Sequence, residues 1–382
     1  MKKQRLLIAT DTFLPRKDGV SRFLQGLLPL LTQHFEVTLV CPHHQHIPPF
    51  QDVTIKTIKN TSFKINDMFI PYFSYFTIRK LVKQSDIVFT QTLGPIGASA
   101  LLSGRYARKK VVSFVHSLDW ELAKRSLSTS WFRKPFYFFA KWFAKFCYSR
   151  SSHLIVPSES IGDIFTWKKI YTPRSIVHLG VQTSKFQPSS SEKVRELKQR
   201  LGISLADTVI GYHGRISPEK DLPTLVRAFI TLRKKYPHVK LLLLGSGVAS
   251  LEKQLKKHKG VILHPAVSHV QDFLSCMDMY VLPSLTETTS LSVLEAMAMG
   301  LPVVSTPVGF VKDYIRSGKN GLFMKPSQSR SLVYQLEKYL KDDSFRKQVG
   351  AQARKTVNER FDWDRSAKEL VEVLLNFEKK NH

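Results

Sequence analysis

Two blocks of alternating strand and helix patterns, joined by a polar bridge, constrain this chain more than any other feature. In the first block, short apolar runs at 5–10, 36–41, 53–58, 86–90, 110–116, 153–157 and 175–179 read as strands, with helical patterns such as 21–31 and 96–108 between them. Residues 182–192 are polar and rich in serine. After them the alternation restarts, with strands at 208–213, 239–245, 260–263, 278–282 and 302–306 and helices at 222–235 and 270–276. Strand–helix alternation of this kind predicts parallel, doubly wound sheets covered on both faces. The expected class is therefore α/β, with one domain over 1–180, a second over 181–361, and a final helical segment at 362–382 that folds back on the first. Two such sheets in series predict a cleft lined by the carboxyl ends of their strands, the usual ligand site of this architecture.

The chain has 382 residues, enough for two domains of ordinary size, and 43% of them are hydrophobic, enough for two cores. No apolar run reaches 18 residues, so no spanning helix is expected. Basic residues at the N-terminus precede an apolar run that Asp11 cuts short, which favours a buried first strand over a signal peptide. Cys41, Cys147 and Cys276 have no metal-site spacing and fit a reducing compartment. His43, His44 and His46 have the composition of a metal site but also of a polar loop after the second strand, and the loop is the expectation.

Lys and Arg outnumber Asp and Glu by 58 to 30, a formal charge of +28. Such a field calls for an anionic partner: nucleic acid, an acidic membrane surface or a phosphorylated substrate. No zinc-finger, homeodomain or RNA-binding pattern is present, so specific nucleic-acid recognition is not expected. The segment 131–150, WFRKPFYFFAKWFAKFCYSR, interleaves aromatic and basic residues without one acid. On a helix beginning near Pro135, Lys141 and Lys145 share one face, while Phe139, Trp142, Phe143 and Phe146 share another. An interfacial helix on anionic lipid has this composition, which makes Trp131, Arg133, Lys134, Lys141, Trp142 and Lys145 candidate membrane contacts. The aromatic run 68–76 adds bulk that fits beside it. Core packing accounts for about half of these rings, because one helix has one inward stripe.

Residues 287–295, ETTSLSVLE, place two carboxylates eight positions apart across a polar turn and the start of an apolar helix. Because 278–283 reads as a strand end, the unit is strand, loop, helix. Its amides and helix N-terminus favour a phosphate or diphosphate. Glu287 is placed to hold sugar hydroxyls and Glu295 a ribose. A purely local reading also fits, since Ser292 and Glu295 have the spacing of a capping box.

The second half, from about residue 176 to 374, resembles the family 4 retaining glycosyltransferases of GT-B fold. The motifs are Gly214-Arg215-Ile-Ser-Pro-Glu-Lys220-Asp, Leu242-Leu-Leu-Gly-Ser-Gly247, and Pro283-Ser-Leu-Thr-Glu287 continuing through Glu295-Ala-Met-Ala-Met-Gly300-Leu-Pro-Val-Val-Ser. Gly309, Gly318-Lys-Asn-Gly321-Leu and Phe361-Asp-Trp363 follow. In the first half, residues 13–21 around Gly19 resemble the family's glycine-rich loop, and His116 stands where the family keeps a sugar-site histidine. Asp119 follows at a spacing of three. Thr288 stands where relatives often have glycine, and the 287–292 segment is similar to that of some lipid glucosyltransferases in the family.

The resemblance implies a GT-B pair of Rossmann-like domains that transfers a hexose from a nucleoside-diphosphate sugar. Arg215 and Lys220 would neutralise charge developing on the diphosphate, an effect worth roughly 3–4 kcal/mol for one key donor. The competing reading pairs them with Glu219 or Asp221. Donor contacts would come from Gly19, whose missing side chain lets backbone approach the diphosphate, and from Glu287, Thr288, Thr289, Ser290, Leu291 and Glu295. No close pair of carboxylates near His116 provides a glycosidase-type nucleophile. The resemblance implies instead a front-face substitution in which the leaving phosphate takes the acceptor proton and His116 orients the sugar. No Asp-x-Asp motif is present, and no metal or other obligatory cofactor is expected. The expected donor is UDP-glucose, with UDP-galactose and GDP-mannose open. The expected acceptor is a lipid hydroxyl such as that of diacylglycerol, phosphatidylinositol or a polyprenyl-linked sugar, reached from the cytoplasmic face of a membrane. A soluble or polysaccharide acceptor, a nucleic-acid-binding protein and an inactive scaffold are the rivals.

Overall fold

The computed structural model describes residues 3–16, 18–65, 68–121 and 130–376. The chain divides into two compact units, one of Met1–His178 with Ala367–His382 and one of Leu179–Ser366.

The first unit is built on β1 (Gln4–Ala9), β2 (Phe35–Pro42), β3 (Val53–Ile58), the hairpin β4 (Asn60–Ile65) and β5 (Met68–Pro71), then β6 (Ile87–Thr90), β7 (Lys110–Phe114), β8 (His153–Val156) and β9 (Arg174–Ile176). Seven of these form one parallel sheet in the order β3-β2-β1-β6-β7-β8-β9, and β4 and β5 pair antiparallel beside it. The central strands are continuous apolar runs because both faces are covered: Leu6 to Ala9 and Ile87 to Phe89 are fully buried. Helices Tyr75–Gln84, Pro95–Tyr106 and Ser130–Tyr148 share one apolar layer over this sheet, through Ile78, Val82, Ile96, Leu101, Phe143 and Cys147.

The second unit contains β10 (Thr208–His213), β11 (Val239–Leu244), β12 (Val261–His264), β13 (Met279–Leu282), β14 (Val303–Ser305) and β15 (Leu322–Phe323). They form a parallel sheet in the order β12-β11-β10-β13-β14-β15. Helix Leu222–Lys235 opens with Pro223 in its first turn, where a missing N–H costs nothing. It buries Leu225, Phe229 and Leu232 in the core.

Both doubly wound sheets stand as the alternation predicts. Three local expectations are corrected. The strand expected over 110–116 ends at Phe114. Val115 makes a last bond to Ile155, and His116 lies beyond the ladder. The aromatic helix begins at Ser130, and Pro135 lies inside it at the cost of one helical hydrogen bond. The polar bridge is tied down on the second unit rather than free. Thr183 donates to Asp362 at 2.6 Å, Ser189 donates to Asp272 at 2.9 Å, and Phe186 is buried.

Candidate functional site

In the second unit the winding reverses between β10 and β13, which are neighbours with Ile210 opposite Met279 and Gly211 opposite Tyr280. Loops leaving such a pair diverge, which makes the carboxyl edge there the natural ligand position of the fold. Arg215 and Lys220 lie on the segment leaving β10, the latter ending the short turn Pro218–Lys220. Glu287, Thr288, Thr289 and Ser290 lie on the loop leaving β13. Leu291 and Glu295 belong to the helix Leu291–Ala298 that follows.

The charged side chains of this edge are interlocked. Lys220 Nζ donates to Glu287 Oε1 at 2.6 Å, and both side chains are mostly buried. Arg215 Nη2 lies 2.6 Å from Glu219 Oε1, which also accepts from Ser217 at 2.6 Å. Burial pushes the Glu219 carboxyl up, but the Arg215 guanidinium and the Ser217 hydroxyl outweigh it and hold its pKa below the usual value. Arg215 therefore makes the ion pair with Glu219 that the competing reading foresaw, whereas Lys220 pairs with Glu287 and not with Asp221. An ammonium has three donors, so the bond to Glu287 leaves Lys220 capacity for phosphate oxygens.

The loop between the two glutamates is held from below. The Thr288 carbonyl accepts from Phe310 N at 2.7 Å, and the Thr289 carbonyl accepts from Tyr314 Oη at 2.8 Å. Gly309, in a left-handed conformation with φ 55°, passes so close that a Cβ would lie 2.1 Å from the Glu287 carbonyl oxygen. Only glycine fits such an approach. Ser290 takes a left-handed conformation (φ 60°, ψ 79°) as the helix N-cap but makes no side-chain cap bond. The Thr289 hydroxyl is buried and has no hydrogen-bond partner among the described residues.

The alternative reading, a capping box between Ser292 and Glu295, does not hold. Ser290, not Ser292, is the N-cap, and the Glu295 carboxylate accepts from His213 Nε2 at 2.6 Å. His213 is the last residue of β10. Sequence reasoning passed over it, although a histidine closing an apolar strand just before Gly214-Arg215 is a readable signal.

In the first unit Gly19 is exposed and begins helix Gly19–His34, and a Cβ there would meet nothing within 4 Å. The preceding loop is held by Asp18. It caps the helix by accepting from Ser21 N at 2.9 Å, and it accepts from Arg16 Nε at 2.9 Å and from the Thr12 hydroxyl. His116 packs against the rings of Phe23 (4.9 Å) and Phe114 (4.3 Å), and its Nε2 is 2.8 Å from Gln91 Oε1. Desolvation pushes its pKa down to about 3, so the ring is neutral near pH 7. Asp119 accepts from Tyr148 Oη at 2.7 Å and from Ser117 at 3.3 Å, and burial raises its carboxyl to about 6 against those bonds. Asp11, which sequence reasoning used only to end an apolar run, is buried at the β1–β6 switch. It accepts from Ile96 N (2.7 Å), Gly97 N (3.1 Å) and Thr92 Oγ1 (2.6 Å).

The side chains of Trp131, Arg133 and Lys134 lie outside the described residues. Farther along the aromatic helix, Ala144, Cys147 and Tyr148 are buried, and Phe143 and Phe146 are half-buried against the core. Phe138, Phe139 and Trp142 point outward at 63%, 56% and 58% exposure, with Lys145 exposed and Lys141 half-buried. The expected aromatic stripe is therefore divided, its inner rings stacked against its outer ones in the Phe139–Phe143 and Trp142–Phe146 pairs. Phe63, Phe69, Tyr72, Phe73 and Phe76, on and just after the β4–β5 hairpin, are also exposed. Among the described residues, no helix is long and apolar enough to cross a membrane, and no cluster of three or more His, Cys, Asp or Glu could hold a metal.

Two Rossmann-like parallel-sheet units in series define the GT-B class of glycosyltransferases. Residues 17–185 match the family described as Glycosyltransferase Family 4, and residues 193–356 match that described as Glycosyl transferases group 1. The chain belongs to this family of enzymes. It is 30% identical over 197 residues to the putative teichuronic acid biosynthesis glycosyltransferase TuaC of Bacillus subtilis (strain 168), covering 51% of this chain and 49% of that protein. The chain thus spans about half the length of that relative. It is 24% identical over 314 residues to the alpha-monoglucosyldiacylglycerol synthase of Streptococcus pneumoniae, covering 79% of this chain and 70% of that one. Among solved structures, Anabaena HepE in complex with UDP-glucose superposes with a TM-score of 0.75 at 17% identity, over 98% of this chain and all of that one.

Proposed function

We propose that the protein transfers a hexose from a nucleoside-diphosphate sugar, UDP-glucose foremost, to the hydroxyl of a membrane lipid such as diacylglycerol, with retention of configuration. It would work as a peripheral enzyme on the cytoplasmic face. The donor half of this reading is supported by Arg215 and Lys220 on the segment leaving β10 and by Glu287 and Glu295 on the loop and helix after β13, with Lys220 and Glu287 bonded to each other. In the reaction the anomeric C–O bond to the diphosphate breaks. A new bond forms on the same face to the acceptor oxygen, and the acceptor proton passes to a phosphate oxygen. Arg215 and Lys220 stabilise the charge left on the diphosphate. Glu287 and Glu295 hold sugar and ribose hydroxyls, and neutral His116 hydrogen-bonds a substrate hydroxyl. No step calls for a metal.

The observation that carries the lipid acceptor is the outward row Phe138, Phe139 and Trp142, on a helix whose inner face is already satisfied by the core. Rings of that size exposed beside lysines match an interfacial surface. The relative described as an alpha-monoglucosyldiacylglycerol synthase has the same acceptor class in its name. A thermal-shift panel of UDP, GDP and their sugars tests the donor. The bound nucleotide should stabilise the chain by about 2.7 kcal/mol at 100 times its Kd, and a panel without any stabilising member would overturn the reading.

A further inference from the structure

We propose that His213 is a positioning residue that fixes the Glu295 carboxylate for a vicinal diol, and thereby sets the affinity for the ribose of the donor. The inference rests on the reading of Glu295 as a ribose ligand. His213 and Glu295 are 82 residues apart in sequence, and their side chains are 4% and 6% exposed. The Nε2–Oε2 distance is 2.6 Å, a short hydrogen bond. His213 Nδ1 is buried and has no partner among the described residues. A proton on Nδ1 would be a buried donor without an acceptor, which is costly. The ring therefore carries its proton on Nε2 and directs it at Glu295.

The backbone that carries the ring is anchored. Tyr280 of β13 donates from its hydroxyl to the His213 carbonyl at 3.1 Å, and the His213 N–H reaches the same hydroxyl at 3.5 Å. The His213–Glu295 bond thus ties the helix that carries Glu295 to the end of β10 at the β10–β13 switch. A glutamate has three rotatable side-chain bonds, and ordering them on binding costs affinity. A buried acid–histidine pair adds little stability over apolar packing. Its effect is to hold one carboxylate oxygen and fix the plane of the other. A carboxylate offers about four acceptor sites, so it can accept from His213 and from a diol together.

The test is calorimetric titration of the full chain with UDP and with 2′,3′-dideoxy-UDP, alongside donor KM and kcat. His213→Leu should weaken UDP binding about tenfold or more. His213→Gln, which can still place an N–H near Glu295, should stay within about threefold of wild type. His213→Leu should bind the dideoxy analogue as wild type does. Donor KM should rise with kcat at saturation within about twofold, a split that general damage to the fold would not produce. Should His213→Leu fail to fold, His213→Asn, whose amide is too short to reach Glu295, is predicted to show the same loss. Wild-type UDP affinity in His213→Leu or His213→Asn, with affinity lost in Glu295→Gln, would overturn the positioning role alone. Unchanged affinity in Glu295→Gln would overturn the ribose reading beneath it.

Discussion

Asp119 and His116, three residues apart, are displaced in opposite directions by the same burial, one carboxyl up to about 6 and one imidazole down to about 3. Burial disfavours the charged form of each, and each makes stability depend on pH with its own sign. The stability Asp119 contributes is complete below its unfolded pKa and is lost as pH rises through about 6. That from His116 is present above its unfolded pKa and is lost progressively as pH falls from there toward about 3. Asp119→Asn keeps an acceptor for Tyr148 and removes the buried charge. It should stabilise the first unit at pH 8 by roughly 2–3 kcal/mol relative to wild type, a gap that closes toward pH 4. Denaturant unfolding at several pH values measures it, and a gap independent of pH would refute the assignment. In the second unit, Arg215→Ala and Lys220→Ala should each lower turnover by roughly 100-fold or more, with the fold intact as seen by circular dichroism. Near wild-type rates in both would remove them from the chemistry.

At the scale of elements, the two units solve one problem with different residues. In each, a polar side chain at the end of the central strand locks the helix that follows the strand across the switch. Asp11 after β1 accepts from the first amides of Pro95–Tyr106, and His213 at the end of β10 bonds Glu295 of Leu291–Ala298. Asp11→Ala should cost about 1–2 kcal/mol, as for loss of an N-cap, with Asp11→Asn milder; equal stability of all three proteins would show that the helix does not depend on it. The strands were legible because parallel sheets covered on both faces leave unbroken apolar runs, as in β1 and β11. The β4–β5 hairpin was not, since its exposed aromatics read as bulk and not as alternation. Of the site, the loops and their charges were legible from local spacing. The pairings were not: Glu295 fits a capping box by sequence, and only the fold brings His213 to it from 82 residues away.

For the whole molecule, the surplus of basic over acidic residues, 58 to 30, attracts an anionic surface on which the exposed aromatics can dock. The protein should float with vesicles containing anionic lipid and much less with neutral ones. Salt should release it, because the Debye length shrinks from about 10 Å at 0.1 M to about 3 Å at 1 M. Replacing Arg133, Lys134, Lys141 and Lys145 by Ser should weaken binding by about 1 kcal/mol per residue and leave nucleotide affinity unchanged. Full retention on anionic vesicles would place the contact elsewhere. The most direct measurement of the central claim is a transfer assay with labelled UDP-glucose and anionic vesicles containing diacylglycerol, followed by lipid extraction and proton NMR of the anomeric position. The account predicts label in the lipid phase as an α-linked glycosyl-diacylglycerol, absent with Lys220→Ala. Label found only in water-soluble product, with none in lipid across UDP- and GDP-sugar donors, would contradict it.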